Sequence, residues 1–250
     1  MTEVAEGVAA LVELMEQDEK CEFKPEEHSW VCTLDGDPTR LAGNINKHRG
    51  IGKPRVVTQL ADVSSGSWPS QAHHLIPWQQ LQKHPVTQWL AKTPPKAPKR
   101  LLKDNGYSVD HGNNGKFMPY ASDLTEWSGA TKGRKRKIVE KVMTTVGIQL
   151  HQGPHSYKPY GVGEDGYKTR VGEYLAKIHV NSLDHYSAQP PCKDCKGKSD
   201  GGKQSPRRNV VNYMDNASGG IERDIDAGRI FVSRRAAEFV EAGGLLGDDA

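Results

Sequence analysis

The chain has 250 residues, of which only 35% are hydrophobic, and it carries a formal net charge of +3 with a mean hydropathy of -0.70. This composition is that of a polar chain with a thin core, long enough for one large domain or two small ones. No run approaches the roughly 18 apolar residues of a membrane-spanning helix. The acidic start, Met1 to Glu6, predicts no general secretory signal. We therefore expect no membrane contact.

The first half of the chain alternates between helical patterns and turn-rich stretches. Apolar residues spaced by three and four predict a helix over 3–17, and frequent turn formers predict mostly irregular structure over 18–70. A short apolar run over 71–77, closed by a proline, has the pattern of the end of a strand. Residues 78–91 are expected to be helical, with a break or kink at Pro85.

The second half contains a short second strand and several helices. The strand is predicted at 116–119 and ends at a proline. Helical periodicity is found in four further stretches, at about 132–146, 169–183, 207–217 and 233–242. The first of these helices is basic. A polar loop separates the second from the third.

The four cysteines lie in two pairs near the ends of the chain. Cys192 and Cys195 form a C-x2-C knuckle, a spacing that suits zinc, and Cys21 and Cys32 could complete a four-ligand structural site with them. Without a secretory signal, a disulfide framework is not the default. A structural Zn²⁺ is one interpretation, and disulfides or free thiols are the alternatives.

Two adjacent histidines, His73 and His74, are the most informative feature of the sequence. Neighbouring side chains on a strand point to opposite sides, so one imidazole can hold a metal while the other takes a proton. Hydrolysis of a phosphodiester needs an activated water, neutralisation of the phosphate charge and help for the leaving 3′ oxygen. A neutral histidine can activate the water, and one divalent ion can supply the rest.

Asn114, His151 and His155 could supply the remaining parts of such a site. An asparagine amide can hold a histidine ring in the right orientation, and two histidines on one turn of chain can complete an open metal site. Each also has a plainer interpretation. Asn114 precedes a glycine and could be only a turn signal, and His155 could be an ordinary polar residue packed beside Tyr157.

Positive charge is concentrated in the helix predicted at 132–146. A cluster of this kind can neutralise phosphates and so bind nucleic acid without reading its bases. The alternative is an ordinary solvated helix face. The sequence contains no base-reading motif, so low sequence specificity is expected. The candidate nucleic-acid-binding residues are Lys132, Arg134, Lys135 and Arg136.

Three blocks of the sequence together resemble the AHH branch of the HNH nucleases. The resemblance covers residues 68–180 and implies an α+β fold. In that fold a ββα-metal site element, with an insertion over 78–110, is embedded in a mainly helical, loop-rich domain. The blocks are Ala72-His73-His74-Leu75-Ile76-Pro77, Asn114-Gly115-Lys116-Phe117-Met118-Pro119 and His151-Gln152-Gly153-Pro154-His155.

The resemblance also implies a role for each of five residues. His74 would be the general base that activates water, and Asn114 would orient it. A divalent metal ion, Mg²⁺, Mn²⁺ or Zn²⁺, would be bound by His73, His151 and His155. His151 could instead contact phosphate, because a Gly-Pro pair separates it from His155.

Domain organisation follows from the extent of the resemblance. The nuclease domain is expected at 61–185. Residues 1–60 would form an N-terminal helix and an irregular, cysteine-containing segment. Residues 186–250 would form a C-terminal C-x2-C loop and helices packed on the nuclease domain.

Many AHH domains are toxins of bacterial polymorphic and type VI secretion systems. The resemblance therefore implies an antibacterial DNase effector that is made in the bacterial cytoplasm. It would be secreted without a signal peptide, delivered into target cells by a secretion-system carrier, and neutralised by a cognate immunity protein.

Two other functions remain open on the sequence. An RNase could use the same scaffold, because one phosphodiester site can serve either nucleic acid. A non-catalytic zinc-containing protein, binding nucleic acid or acting as an adaptor, could use the histidines and cysteines as structural ligands.

Overall fold

The structure, a computed structural model, describes four stretches of the chain, residues 36–86, 107–152, 166–187 and 208–244. These stretches contain one two-stranded antiparallel sheet, formed by β1 (Ser70–His74) and β2 (Gly115–Pro119). Its register sets the first residue of each strand opposite the last residue of the other. The chain is therefore of mixed α+β class and mostly helical, as the sequence predicts.

Six α-helices accompany the sheet in the part of the chain that the structure describes. The third has the predicted bounds, and the fourth and sixth lie close to them. The fifth begins where expected but continues nine residues beyond the predicted end, to Asp226. The helices are α1 (Pro38–Arg49), α2 (Trp78–Lys83), α3 (Lys132–Val146), α4 (Tyr167–Ser187), α5 (Arg208–Asp226) and α6 (Arg234–Glu241).

Helix α1 lies in the stretch that was expected to be mostly irregular, and that expectation is wrong for its 12 residues. The Asp37 side chain caps the helix by accepting hydrogen bonds from the backbone N–H groups of Thr39 and Arg40. Pro38 occupies the first helical position, and Gly50 ends the helix at a φ of 66°. The turn-forming residues at both ends are thus helix boundaries.

Helix α2 ends at Lys83, although the pattern predicted a helix over 78–91. Pro85 is the cause, because the residue before a proline is driven out of the helical region, and His84 has an extended ψ of 139°. The predicted break at Pro85 is confirmed. Residues 87–91 lie outside the described stretches.

Strand β2 lies between two hydrophobic cores. Phe117 packs in a core that includes Leu41 of α1, whereas Met118 packs in a core with residues of α4 and α5. Because successive side chains on a strand alternate between its faces, the register turns His74 toward α1 and His73 toward α4 and α5.

The core on the α1 side joins distant parts of the chain. Leu41 and Phe231, from the two ends of the described chain, belong to the same cluster of apolar side chains as Phe117. Burial of this apolar surface holds α1, the sheet and α6 together.

Gly115, at the start of β2, is needed for the close approach of α1. Its φ of -128° is open to any residue, so the turn itself does not require glycine. A Cβ atom at this position would lie 2.6 Å from Cγ1 of Ile45 and 2.7 Å from Cδ1 of Leu41. The Asn-Gly pair therefore marks helix-to-strand packing as well as a turn.

Several parts of the predicted organisation lie outside the described residues. These are the helix at 3–17, all four cysteines, His155 and most of the polar loop before α5. Among the helices that the structure does describe, none combines the length and apolar character needed to cross a membrane.

Candidate active site

His74, the last residue of β1, has its ring tied to a buried carboxylate. Its Nε2 lies 2.8 Å from Oδ1 of Asp110, and only 10% of its side chain is exposed. A carboxylate can only accept, so Nε2 carries the donated proton and the lone pair of a neutral ring lies on Nδ1. This tautomer can accept a proton at Nδ1.

Asp110 is fully buried and is held by the first turns of α1. Its Oδ1 also accepts a hydrogen bond of 2.8 Å from the backbone N–H of Asp37. Its Oδ2 makes an ion pair with Nη1 of Arg40 at 3.0 Å, without a well-aligned hydrogen bond. The Asn44 side chain donates to the backbone carbonyl of Asp110 at 2.7 Å. Helix α1 thus fixes both the side chain and the backbone of Asp110.

The Asn114 side chain hydrogen-bonds to backbone groups and to Ser218, not to the His74 ring that it was expected to orient. Its Oδ1 accepts from the N–H of Ile76 at 2.7 Å, and its Nδ2 donates to the carbonyls of Ile76 at 3.1 Å and Val109 at 2.8 Å. The Ser218 hydroxyl of α5 donates to the same Oδ1 at 3.1 Å. Asn114 therefore fixes the chain just after His74, while Asp110 holds the ring.

His73 faces the opposite side of the sheet and meets a tyrosine. Its Nε2 lies 2.9 Å from the Tyr167 hydroxyl, which donates its proton to the carbonyl of Leu75 at 2.6 Å. Since that proton is used, the hydroxyl accepts from His73, and the lone pair of the neutral His73 ring lies on Nδ1. Burial raises the pKa of Tyr167 well above its ordinary value, so the hydroxyl stays neutral.

His151 is brought to His73 by the chain that follows α3. Its backbone N–H donates to the carbonyl of Pro119, the last residue of β2, at 2.8 Å. The ring centroids of His73 and His151 are 4.7 Å apart, and the Tyr120 ring lies 6.4 Å from that of His151. Two of the three predicted metal ligands are therefore neighbours.

The donor set is compatible with a metal ion but is incomplete in the described residues. Within the ranges that the structure covers, no three His, Cys, Asp or Glu side chains converge as ligands. His155, the third predicted ligand, lies outside them. The fit rests on His73, whose Nε2–H is held by Tyr167 as the second nitrogen of a metal-bound histidine usually is. The four cysteines also lie outside the described residues, so the zinc prediction stays a prediction.

The predicted nucleic-acid-binding residues lie in the first two turns of α3. Lys132, Arg134 and Arg136 are exposed, and Lys135 lies over the Trp127 ring at 5.1 Å. The buried residues begin at the end of the second turn, so α3 has exposed basic side chains at its start and an apolar face beyond them. Its buried residues are Ile138, Val139, Val142 and Met143.

The residues that fix the two adjacent rings, directly or through Asp110, were not predicted. Asp110, Arg40 and Tyr167 gave no periodic or motif signal, and their partners are distant along the chain. A weak signal for Asp110 was present, because a charged residue lies beside His111 just before the Gly112–Asn114 turn.

Four histidines that fitted no motif form two pairs in the structure. The rings of His48 and His111 lie 4.5 Å apart, and those of His84 and His179 lie 6.3 Å apart. Nδ1 of His111 lies 3.8 Å from Oδ1 of Asp215 in α5.

The chain was also compared with known proteins. No protein-family model, curated protein or solved structure matches it.

Proposed function

We propose that the chain is a metal-dependent endonuclease that hydrolyses DNA phosphodiester bonds with little sequence preference, using a ββα-metal site. One observation carries the proposal. His74 is bound through Nε2 to the buried Asp110, directly beside His73, whose ring faces His151. A histidine with one nitrogen tied to a carboxylate and a lone pair on the other is suited to general-base catalysis.

In this mechanism Nδ1 of His74 takes a proton from a water molecule. The water oxygen bonds to phosphorus, the bond from phosphorus to the 3′ oxygen breaks with its electron pair, and that oxygen takes up a proton from solvent. His73, His151 and His155 would hold the divalent ion, Mg²⁺, Mn²⁺ or Zn²⁺. When bound, such an ion stabilises negative charge on the phosphate and on the leaving oxygen.

The charge distribution of α3 favours a nucleic-acid substrate. No acidic residue lies in its first turn, although the positive end of a helix favours acidic side chains. Instead, Lys132, Arg134, Arg136 and Lys137 are exposed in the first two turns. Arg136 pairs with Glu140 at 2.8 Å, which stabilises the helix. Lys132 and Arg134, in the first turn, cost stability at the positive end of the helix, and a polyanionic ligand accounts for them.

The biological role that we propose rests on the AHH-like residues alone. It is that of an antibacterial toxin, delivered into target cells by a secretion-system carrier and neutralised by a cognate immunity protein. The acidic surface of such a partner would complement α3.

The test is cleavage of supercoiled plasmid and, separately, of total RNA by the purified chain with Mg²⁺, Mn²⁺ or Zn²⁺. Plasmid nicking that needs metal, is lost in His74→Ala and survives in the control His84→Ala is expected. Cleavage of RNA alone would replace DNA by RNA as the substrate. A folded, metal-bound protein that cleaves neither would overturn the proposal and favour the non-catalytic zinc alternative.

A further inference from the structure

The Asp110 carboxylate is the one fully buried charge in direct contact with the proposed general base. It lies in the loop before β2, and none of its contacts could be read from a motif. The groups that contact the carboxylate come from β1 and from the cap and first turn of α1, at separations of 36 to 73 residues in the sequence. An assembly this specific around one carboxylate indicates a functional role.

We infer that Asp110 is the positioning residue of His74, and that Arg40 in turn holds Asp110. The inference rests on the proposed function, in which His74 is the general base. Asp110 would not touch the substrate. It would set which ring nitrogen of His74 carries the proton and the direction in which the other nitrogen points.

Asp110 selects the tautomer of His74. Without Asp110, a neutral imidazole could carry its proton on either nitrogen. The bond of 2.8 Å from Nε2 to Oδ1 selects the form with its lone pair on Nδ1. A general base in the other tautomer would present an N–H group to the water and could not take its proton.

Arg40 supplies the counter-charge that a buried carboxylate needs, because its Nη1 lies 3.0 Å from Oδ2 of Asp110. Its Nη2 also lies 3.6 Å from Oδ2 of Asp37. One guanidinium thus ties the cap of α1 to the carboxylate that holds His74.

Helix α1 and its cap also hold Asp110 in a fixed position. Asp110 is held through Oδ1 by the N–H of Asp37, through Oδ2 by Arg40 and through its own carbonyl by Asn44. All three belong to the first two turns of α1 or to its cap. The helix therefore completes the active site, although it lies in the segment that the sequence placed outside the nuclease domain.

The experiment compares Asp110→Asn, Arg40→Ala and Arg40→Lys with the wild-type chain. Arg49→Ala is the matched control, because Arg49 also lies on α1 and makes an ion pair of 3.0 Å, with Glu222, at similar exposure. Two quantities are measured at one pH: kcat and KM for nicking of supercoiled plasmid with Mn²⁺, and the ¹⁵N chemical shifts of the His74 ring nitrogens, which report the tautomer.

Wild type is expected to show the tautomer protonated at Nε2. Asp110→Asn should lower kcat by roughly 10²–10⁴-fold with little change in KM, and its ring should show mixed tautomers. Arg40→Ala should lower kcat by a smaller factor, and Arg40→Lys should recover part of it. Arg49→Ala should leave the His74 shifts unchanged.

Two results separate the failure of this inference from the failure of the proposed function. If wild type nicks plasmid and Asp110→Asn matches it in kcat and tautomer, Asp110 is not a positioning residue. If wild type cleaves no nucleic acid, the proposed function fails, and the ring shifts still decide whether Asp110 sets the tautomer. If Asp110→Asn does not fold, Arg40→Ala and Arg40→Lys decide. Unchanged kcat and unchanged His74 shifts in both variants would overturn the inference.

Discussion

His73 and His74 follow each other in β1, yet their rings meet different partners on the two faces of the sheet. On the α1 face, His74 binds a carboxylate that is itself paired with Arg40. On the other face, His73 binds the neutral hydroxyl of Tyr167. Identical side chains one residue apart thus acquire different chemistry, because strand alternation sends each to a separate core.

The partners also differ in what they permit. A carboxylate that accepts from Nε2 leaves the lone pair of a neutral ring on Nδ1, which suits a base. A buried, neutral hydroxyl that accepts from Nε2 fixes the ring without adding charge, which suits a ligand for a cation. This difference supports the proposed roles, with the base on the α1 face and the metal ligand on the face of α4 and α5.

The largest effect is expected when the two histidines are removed one at a time. His74→Ala should lower plasmid cleavage by roughly 10²–10⁴-fold while the protein still binds Mn²⁺ or Zn²⁺. His73→Ala should lose metal affinity as well as cleavage. Calorimetric metal titration beside the cleavage assay checks both. Loss of metal binding in His74→Ala with retention in His73→Ala would reverse the assignment.

Asn114→Ala tests how strongly the Asn114 side chain stabilises the backbone that follows the two histidines. The substitution removes the side chain's hydrogen bonds to Ile76 and Val109, which are buried, so about 3 kcal/mol of unfolding free energy should be lost. Denaturant unfolding measures it. The control is Asn113→Ala. The half-buried Asn113 side chain donates to Asp215, and its loss should cost about 0.5 kcal/mol. Equal losses would contradict a special role for Asn114.

The local parts of this arrangement could be predicted from the sequence, and the long-range parts could not. The strand end at His74 and helix α3 follow from apolar runs, prolines and periodicity within a few residues. The bond between His74 and Asp110 spans 36 residues, and it depends on where α1 packs. Asn114 illustrates the limit: its type and position suggested a site residue, but its contacts with Ile76 depend on tertiary packing.

Helix α1 shows why a pattern can be present and still be misread. Asp37-Pro38 and Gly50 favour turns as well as helix ends, and only the apolar contacts of Leu41 and Ile45 with the sheet decide between them. Those contacts require β2 to be in place, with a glycine at 115. Reading α1 as irregular also removed Arg40 from the candidate site.

Tyr167→Phe tests whether the tyrosine hydroxyl supports His73 as a metal ligand, on the face of the sheet opposite His74. Loss of the hydroxyl leaves Nε2 of His73 without this bond, so metal affinity should fall by roughly 10–100-fold, the usual cost of losing an outer hydrogen bond to a ligand. Metal titration by calorimetry measures the change. Tyr174→Phe is the matched control on α4, because its hydroxyl binds Asp224 at 3.1 Å, away from His73. Equal affinities of the two variants would show that Tyr167 does not support the ligand.

The smallest expected effect concerns His84 and His179, a histidine pair whose rings approach each other between α2 and α4. Burial, and secondarily the charge of His179, lower the pKa of His84 below its ordinary value of 6.5. The folded chain then binds this proton less readily than the unfolded chain, so stability is full above about pH 6.5 and falls as the pH drops toward the lowered pKa. His84 also accepts a hydrogen bond at Nδ1 from the N–H of Val86 at 3.2 Å, which protonation would remove.

His84→Gln should therefore flatten the fall in melting temperature between about pH 7 and pH 5, by about 2 °C at most because the ring is only partly buried. His179→Gln should flatten it less, since the larger cause, burial of His84, remains. Thermal unfolding across this range measures both. A steeper fall in His84→Gln than in wild type would mean that the ring gains stability on protonation, contrary to its lowered pKa.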